Sequence, residues 1–455
     1  MSNRPALVWL RNDLRLSDNP ALHAAIERGN PVILVYIHDE ESEGIRPLGS
    51  ASKWWLHHSL EALHSDIEQL GGTLVLRRGA AAPIIHELVS AHDVEAVFWN
   101  RRYGKPREID ATLKRDLREQ GVTCESFAGN LLFEPWTIKN GEGNPFRVFT
   151  PFWKACLASG PPRFPLPAPS HIANVSGVES DELSSWALLP TSPDWSGGLH
   201  AQWTPGEAGA HARFENFVET TLNNYHRRDE PGVESTSKLS PHLRFGEISP
   251  HTIWHRLDAD LPHVSSENTA KFLSEVGWRE FSYNILFHNT DIAEKNFRPE
   301  FDHFPWGEPD QGAITAWQKG RTGVPLVDAG MRELWETGYM HNRVRMVAAS
   351  FLIKNLFVNW RVGEAWFWDT LVDADEANNP ASWQWVAGSG ADAAPYFRVF
   401  NPLLQADKFD PDRVYISRWL PDSEDYPAEP IVDMKASRER ALAAFSELKA
   451  ARQAG

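Results

Sequence analysis

The sequence predicts an α/β domain with a parallel sheet, joined by a long linker to an all-α domain. Three observations predict this architecture. The chain has 455 residues, more than one hydrophobic core usually organises. Up to about residue 130, short apolar runs alternate with helix-length amphipathic segments. Beyond about residue 205, apolar residues recur at three- and four-residue spacing, which is typical of helices.

The α/β domain is predicted over residues 1–135. Five short, almost continuously apolar runs are typical of strands buried on both faces of a parallel sheet, namely "ALVWL", "PVILVYI", "TLVLRRG", "AVFWN" and "TCESFAG". The segment "SKWWLHHSLEALHSDIEQL" is typical of a covering helix. The loop "RNDLRLSDNPAL" after the first strand contains neither G-x-G-x-x-G nor G-x-x-x-x-G-K-[ST], so neither common phosphate-binding fingerprint marks a nucleotide site there.

The linker is predicted over residues 136–204, where "SGPPRFPLPAPSHI" is too rich in proline for a helix or a central strand. The all-α domain is predicted over residues 205–455. Its clearest helices are "NTAKFLSEVGWREFSYNILFH" and "LVDAGMRELWETGYMHNRVRMVAASFLIKNLFVNW".

Composition limits the classes of function. A formal net charge of −16 argues against a protein that coats nucleic acid through overall charge, although a local basic patch remains possible. Cys124 and Cys156 are the only cysteines, too few for a disulfide framework or a thiolate metal site, so a reducing compartment is expected. No apolar run approaches the length of a membrane span. We therefore expect a soluble, cytoplasmic protein. Twenty tryptophans against five methionines form an excess that needs a reason.

Two helices of the second domain place polar groups on shared faces. Glu275, Trp278 and Arg279 stand at i, i+3 and i+4 and form either a polar pocket wall or an ion pair beside a half-buried indole. In "YMHNRVRMVAASF", Asn342, Arg345 and Met346 share a face, whereas Arg343 is expected to point elsewhere.

Buried arginine and asparagine need partners, and Asp373 and Asp375 in "DADEANNPASWQW" could supply the carboxylates. The group is then either a filled polar site or a salt bridge that only fixes the packing.

Two further patterns are weaker. In "ESTSKLSPHLRFGEIS", Thr236, Ser237, Lys238 and Ser240 precede an apolar helix-like run, which suits either an anion site or a plain helix cap. "HHSLEALH" gives His57, Glu61 and His64 a metal-like spacing without H-E-x-x-H, and a solvated helix face is the favoured interpretation.

Taken together, these segments resemble the DNA photolyase and cryptochrome family. The resemblance is carried by "TSKLSPHLRFGEISP", "EVGWREF", "YMHNRVRMVAASFLIK", "NWRVGEAWF" and "DADEANNPASWQWVAGSGADAAPYFRVFNP", and it runs from "WLRNDLRLSDNPAL" to "YPAEPIVDMKASRERALAAF". The details "SKWWLHH", "WNRRYG" and "LLPTSPDW" are most similar to class III cyclobutane-dimer photolyases, near relatives of plant cryptochromes. The chain is shorter than its relatives between "SRWLPD" and "YPAEPIVD".

The resemblance implies a U-shaped FAD inside the helical domain, with its diphosphate on residues 236–240. Asn379 matches the family's residue beside the flavin N5. Arg345 paired with Asp373 could stabilise an anionic reduced flavin. The implied cofactor-binding residues are Tyr225, Thr236, Ser237, Lys238, Leu239, Ser240, Arg279, Asn342, Arg345, Asp373, Asp375 and Asn379.

The resemblance also divides the tryptophans. Trp383, Trp360 and Trp306 match an electron relay from the flavin to the surface, whereas Trp278 and Trp385 match the walls of the substrate pocket. Arg343 and Arg398 match phosphate-contacting positions, which supply the local basic patch.

The segment "YMHNRVRMVAASF" indicates, by resemblance, which DNA lesion is the substrate. Asn342 and Met346 stand where enzymes that repair (6-4) photoproducts carry histidines, so they favour cyclobutane dimers as the substrate. Glu275 would hydrogen-bond the thymine edge of the dimer. The resemblance implies light-driven repair of these dimers by a monomer that uses no metal and acts on UV-damaged DNA.

The alternatives are a cryptochrome-type blue-light photoreceptor and an electron-transfer flavoprotein without a DNA role. An end at Gly455 leaves no long tail for signalling, which favours repair. The expected antenna is 5,10-methenyltetrahydrofolate, with deazaflavin as the alternative.

Overall fold

The computed structural model describes residues 4–259, 261–393, 397–420 and 426–454. The shortened stretch after "SRWLPD" falls largely on 421–425 and so lies outside the described residues. The chain folds into a parallel sheet covered by helices, followed by a helical domain. This confirms the predicted fold class. Among the residues described, no helix is both long and apolar enough to cross a membrane.

Five parallel strands form the sheet in the order β3-β2-β1-β4-β5. They are β1 Ala6–Leu10, β2 Val32–His38, β3 Leu74–Arg78, β4 Ala96–Asn100 and β5 Thr123–Phe127. Four helices connect them: α1 Pro20–Glu27, α2 Ser50–Gln69, α3 Ala81–Ala91 and α4 Arg107–Glu119. Alternate residues of β1 pack into two different core clusters, one on each face of the sheet. Both faces are therefore buried, which is why the strands are continuously apolar.

The segment predicted as a linker contains α5 Phe149–Ala158, a 3₁₀ turn at Leu183–Trp186 and α6 Gly197–Gln202. Residues 160–169 between them form neither helix nor strand, in keeping with their prolines. Helix α5 packs on the longest helix of the second domain. Part of the segment is therefore packed structure rather than a simple tether, and the domain limits at 135 and 204 stay predictions.

The remaining elements are helical. The α-helices are α7 Glu207–Asn216, α8 Ser240–Phe245, α9 Pro250–Asp258, α10 Ser266–His288, α11 Gln311–Gln318, α12 Pro325–Thr337, α13 Asn342–Ser350, α14 Trp360–Thr370, α15 Asn378–Ala387, α16 Pro402–Phe409, α17 Val414–Trp419 and α18 Met434–Ala454. Two π-helical segments, Phe217–Thr221 and Phe351–Asn355, and two 3₁₀ segments, Leu222–Arg227 and Pro299–His303, complete the list.

Tryptophans join the two domains. Trp54 and Trp55 on α2 are fully buried and belong to one core cluster with Trp203 and with Tyr339 of the helical domain. The Trp55 indole N–H donates to Glu247 Oε1 at 2.9 Å. Part of the tryptophan excess is therefore explained by an apolar seam between the domains.

Glu280 on α10 anchors the chain that follows β5. Its Oε2 accepts hydrogen bonds from the backbone N–H groups of Leu132 at 2.9 Å and Phe133 at 3.1 Å. Burial raises the pKa of this carboxyl to about 7, although Arg279 and the two N–H groups act in the opposite direction.

We expect Glu280 to make the protein less stable as the pH rises from 4.5, its ordinary pKa, towards 7. Over that interval the folded state keeps a proton that the unfolded state has lost, so the free energy of unfolding falls by about 1.4 kcal/mol per pH unit. Denaturant unfolding at several pH values should show a shallower fall for Glu280→Gln. The exposed Glu267→Gln on the same helix should behave like the unchanged protein. Equal slopes for all three proteins would contradict the assignment.

Candidate active site

A cavity of about 570 Å³ opens within the helical domain. Its wall is built mainly from residues 225–229, the segment 236–240, and helices α10, α13, α14 and α15. The volume lies in the range of small-molecule and cofactor sites. The wall brings together all twelve residues predicted to bind a cofactor: Tyr225, Thr236, Ser237, Lys238, Leu239, Ser240, Arg279, Asn342, Arg345, Asp373, Asp375 and Asn379.

Six further predicted residues line the same cavity, namely Glu275, Trp278, Arg343, Met346, Trp383 and Trp385. Three predicted residues do not line it. Trp360 is buried behind the wall, Trp306 is half-buried, and Arg398 lies beside Trp385, with its Cζ 5.6 Å from the indole centroid.

Arg345 and Asp373 form a bidentate ion pair at the cavity wall. The two N–O distances are 3.0 and 2.8 Å, and Asp373 Oδ2 also accepts from Ser240 Oγ at 2.6 Å. Burial acts to lower the pKa of Arg345, but the facing carboxylate outweighs it and the pKa lies above its ordinary value. The guanidinium therefore stays charged and fixed in direction.

The segment 236–240 presents small hydroxyls and a lysine to the cavity. Ser237 Oγ accepts from the Leu239 N–H at 3.3 Å, and Lys238 holds a positive φ of 51°. Helix α8 begins at Ser240, whose side chain bonds to Asp373 rather than capping its own helix. A plain cap therefore does not explain these residues, and their donors are suited to an anionic group.

Glu275 lines the cavity from helix α10. Its Oε1 lies 3.2 Å from Arg228 Nη2 and 3.7 Å from Lys271 Nζ. Burial raises the pKa of the carboxyl, and the two cations act in the opposite direction. Glu275 therefore lines the cavity, as the pocket-wall alternative requires, and its ion pairs are with Arg228 and Lys271, whereas Arg279 pairs with Glu280.

Trp278 and Trp385 supply flat apolar surface to the same cavity. The Trp278 ring stacks on Phe149 with centroids 3.9 Å apart and planes 11° apart. The Trp385 indole N–H donates to the Asp392 carbonyl at 3.2 Å. Both rings are therefore held in fixed positions at the cavity wall.

The sequence predicts Arg343 on a different face of α13 from Asn342, Arg345 and Met346. It lines the same cavity, but its guanidinium has other partners: Nη2 lies 3.0 Å from Asp229 Oδ2, and Cζ lies 4.4 Å from the Phe409 ring centroid. Residues on more than one face of the helix therefore line the cavity.

Asp375 and Asn379 stand at the start of α15. Asp375 Oδ1 accepts from the N–H groups of Ala377 and Asn378, the two residues at which α15 begins. The Asn379 amide nitrogen donates to the carbonyl of Glu364 at 3.1 Å and to its Oε1 at 2.8 Å. The opening of "DADEANNPASWQW" is therefore held in place by its own acid and amide groups.

The three tryptophans predicted as a relay belong to one core cluster. Trp383 lines the cavity and is nearly fully buried, and its ring meets Phe367 edge-on at 4.9 Å. The Trp360 indole N–H donates to Asn296 Oδ1 at 2.9 Å. The relay itself stays a prediction.

Sequence reasoning missed Arg228 and Phe149. Arg228 follows Tyr225 in "YHRRDE", and that pair of arginines beside a predicted site residue was a usable signal. Phe149 comes from the segment predicted as linker, where nothing in the local pattern indicated a contact with Trp278.

The metal-like spacing on α2 is rearranged in the structure. Glu61 lies 3.3 Å from His57 Nε2 and 2.8 Å from His58 Nδ1, whereas His64 pairs with Glu68. The ligand atoms of His57, His58 and Glu61 lie within 4.8 Å of one another. His57 is buried rather than solvated, so that interpretation is wrong for this residue. The expected absence of a metal stays a prediction.

Two family descriptions match the chain. Residues 6–170 match "DNA photolyase", and residues 272–429 match "FAD binding domain of DNA photolyase". A deoxyribodipyrimidine photo-lyase of Agrobacterium fabrum is 48% identical over 99% of both chains. Cryptochrome-1 of Arabidopsis thaliana is 36% identical over 93% of this chain and 64% of its own length.

Solved structures agree with these matches. A class III photolyase from Agrobacterium tumefaciens superposes with a TM-score of 0.94 at 47% identity, covering 99% of this chain and 98% of that one. An archaeal photolyase from Sulfolobus tokodaii, described with two FAD molecules, gives a TM-score of 0.82 at 27% identity, covering 97% and 100%.

Proposed function

We propose that this chain, which belongs to the DNA photolyase family, repairs cyclobutane pyrimidine dimers in UV-damaged DNA by light-driven electron transfer from bound FAD. The activity is that of a deoxyribodipyrimidine photo-lyase. One observation carries the proposal. A single cavity is lined both by the polar pair Arg345 and Asp373 and by the acid and indole of Glu275 and Trp385.

The residues of the cavity fit FAD. Hydroxyls and a lysine at 236–240 offer donors for a diphosphate. Arg345, held in direction by Asp373, would supply the positive group that a reduced, anionic ring needs beside it. Asn379 offers a neutral amide beside the ring, which adapts to a change of protonation at N5 better than a carboxylate would.

When bound and reduced, FAD supplies on excitation the electron that opens the cyclobutane ring and is afterwards returned. The protein binds and orients the partners of this transfer. Trp278 and Trp385 would stack on the flipped dimer, and Glu275 would hold the edge of its bases. Asn342 and Met346, one turn apart on α13, would lie between dimer and flavin. Arg343 and Arg398 would contact DNA phosphates, so recognition does not require a basic protein overall.

The second candidate is a blue-light photoreceptor that uses the same flavin without repair. It is favoured by the 36% identity to a plant cryptochrome. Glu275 separates the candidates, because a photoreceptor has no need of a substrate-binding carboxylate in this cavity. An electron-transfer flavoprotein without a DNA role leaves the same residues unexplained.

Repair of a dimer-containing oligonucleotide tests the proposal. The fully reduced protein should remove dimers under blue light and leave them unchanged in the dark. The matched control is the same oligonucleotide without a dimer, which should bind more weakly and stay unaltered. Intact dimers after prolonged illumination of FAD-loaded, reduced protein would contradict the repair function.

Trp383 is proposed as the first relay to the flavin, with Trp360 and Trp306 behind it. Trp383→Phe should slow photoreduction of oxidised FAD at least tenfold, because phenylalanine is far harder to oxidise than indole. The flavin absorption bands under illumination with a reductant measure this rate. Trp317→Phe is the matched control, since Trp317 lies 6.3 Å from Trp383 without lining the cavity. An unchanged rate in Trp383→Phe would eliminate that residue as the relay.

The antenna, oligomeric state and location are further proposals. We propose 5,10-methenyltetrahydrofolate as antenna, with deazaflavin as the alternative, and a monomeric, cytoplasmic protein that needs no metal. Both cysteines are free and buried, which suits a reducing compartment. A near-ultraviolet absorption band beside the flavin bands in the purified protein would support the folate.

A further inference from the structure

The amide of Asn379 has a fixed orientation. Its nitrogen donates to two acceptors of one residue, the Glu364 carbonyl at 3.1 Å and Glu364 Oε1 at 2.8 Å. Both acceptors are oxygens, so the donating nitrogen end of the amide faces Glu364. Because Asn379 also lines the cavity, the amide oxygen is the end left to face that space.

Without a cation beside it, the Glu364 carboxylate would destabilise the fold. Its side chain is 4% exposed in the middle of α14. Arg46 neutralises it through a bidentate pair, with Nη1–Oε1 at 2.7 Å and Nη2–Oε2 at 2.9 Å. An ionised carboxylate at this depth is tolerated because it is paired and fully hydrogen-bonded.

Arg46 comes from the other domain. It precedes α2 in the loop after β2, 318 positions away from Glu364 in sequence. Its guanidinium lies 4.0 Å from the ring centroid of Trp368, and the Trp368 indole N–H donates to the Pro47 carbonyl at 2.8 Å. The loop is therefore fastened to α14 at Trp368 as well as at Glu364.

We propose that the Arg46–Glu364 ion pair is a positioning device that keeps the Asn379 amide oxygen turned toward the cavity. The bidentate pair with Arg46 fixes both carboxylate oxygens of Glu364, so Oε1 stays where it accepts from the Asn379 amide nitrogen. Without Arg46, the Glu364 side chain loses this anchor and can turn away from Asn379. The amide is then free to turn its nitrogen toward the cavity.

The consequence for the flavin rests on the proposed function, in which Asn379 lies beside N5. Fully reduced FAD carries a hydrogen on N5, whereas oxidised FAD has a bare acceptor there. An amide oxygen facing N5 therefore stabilises reduced FAD relative to oxidised FAD. A loop of the α/β domain thus helps to set the redox preference of a cofactor in the helical domain.

The test is the midpoint potential of bound FAD, measured by reductive titration of the full chain. Arg46→Met should weaken the preference for reduced over oxidised FAD about tenfold, which is about 30 mV for a two-electron couple. Arg46→Lys should recover part of the shift in potential, because lysine restores the positive charge but cannot form the bidentate pair. Arg77→Met is the matched control, because Arg77 pairs with Glu87 on the outside of the same domain.

A double variant separates positioning from a general electrostatic effect. Asn379→Ala should lower the potential by itself, and adding Arg46→Met should then change nothing further. An unchanged potential in Arg46→Met with FAD bound would overturn the inference, as would full additivity of the two changes. A protein that binds FAD and shows these shifts but repairs no dimers would overturn the proposed repair function alone. A protein that takes up no FAD would overturn both.

Discussion

Replacing Asp373 with alanine should weaken FAD binding about 100-fold. The substitution removes one partner of the ion pair with Arg345 and also the acceptor for Ser240 Oγ. Breaking a buried pair costs at least about 3 kcal/mol, because the remaining charge loses its partner. Quenching of FAD fluorescence during titration of the apoprotein measures the affinity.

A surface ion pair supplies the control for Asp373→Ala. Asp407 pairs with Arg413 where both side chains are largely exposed, so Asp407→Ala should leave FAD affinity unchanged. Unfolding of each variant should be followed alongside binding. Unaltered affinity in a well-folded Asp373→Ala protein would remove Asp373 from the cofactor site.

Replacing Glu275 with alanine should reduce repair at least tenfold while FAD binding and photoreduction continue. A hydrogen bond to a charged partner is worth about 1.5–3 kcal/mol, and the base edge of the dimer would lose such a bond. Glu275→Gln should retain part of the activity, because an amide can still bond to the base edge. The number of dimers repaired per absorbed photon, measured with the FAD-loaded, reduced protein, gives the size of the effect.

Glu267→Ala on the same helix is the matched control, since Glu267 is exposed in the first turn of α10, away from the cavity. It should repair at the unchanged rate. Parallel loss of repair and photoreduction in Glu275→Ala would mean that Glu275 supports the flavin rather than the dimer.

The sheet could be predicted from the sequence because its strands are buried on both faces. Alternate residues of β1 enter two different core clusters, so every position had to be apolar. Helix α5 was not predicted, because its sequence stands next to a proline-rich stretch that is typical of a linker.

Within the site, helical spacing placed Glu275, Trp278 and Arg279 on one wall, as the structure has them. It set Arg343 apart from Asn342, Arg345 and Met346, yet Arg343, in the first turn of α13, also lines the cavity. Helical spacing gives the face on which a residue lies but not how much of the helix a cavity reaches.

Contacts of the helical domain with the α/β domain and with the predicted linker could not be predicted from the sequence. The pairing of Arg46 with Glu364 joins two domains, and no local pattern marks either residue. The stacking of Phe149 on Trp278 likewise depends on where α5 packs. Such contacts follow from the assembled fold, whereas strands and helix faces follow from local periodicity.

A crystal structure of the protein loaded with FAD tests the central claim most directly. We expect the isoalloxazine ring in the described cavity, with Arg345 and Asn379 beside it and the diphosphate against residues 236–240. Density for FAD at another place on the protein, or an unchanged cavity after saturation with FAD, would contradict the account.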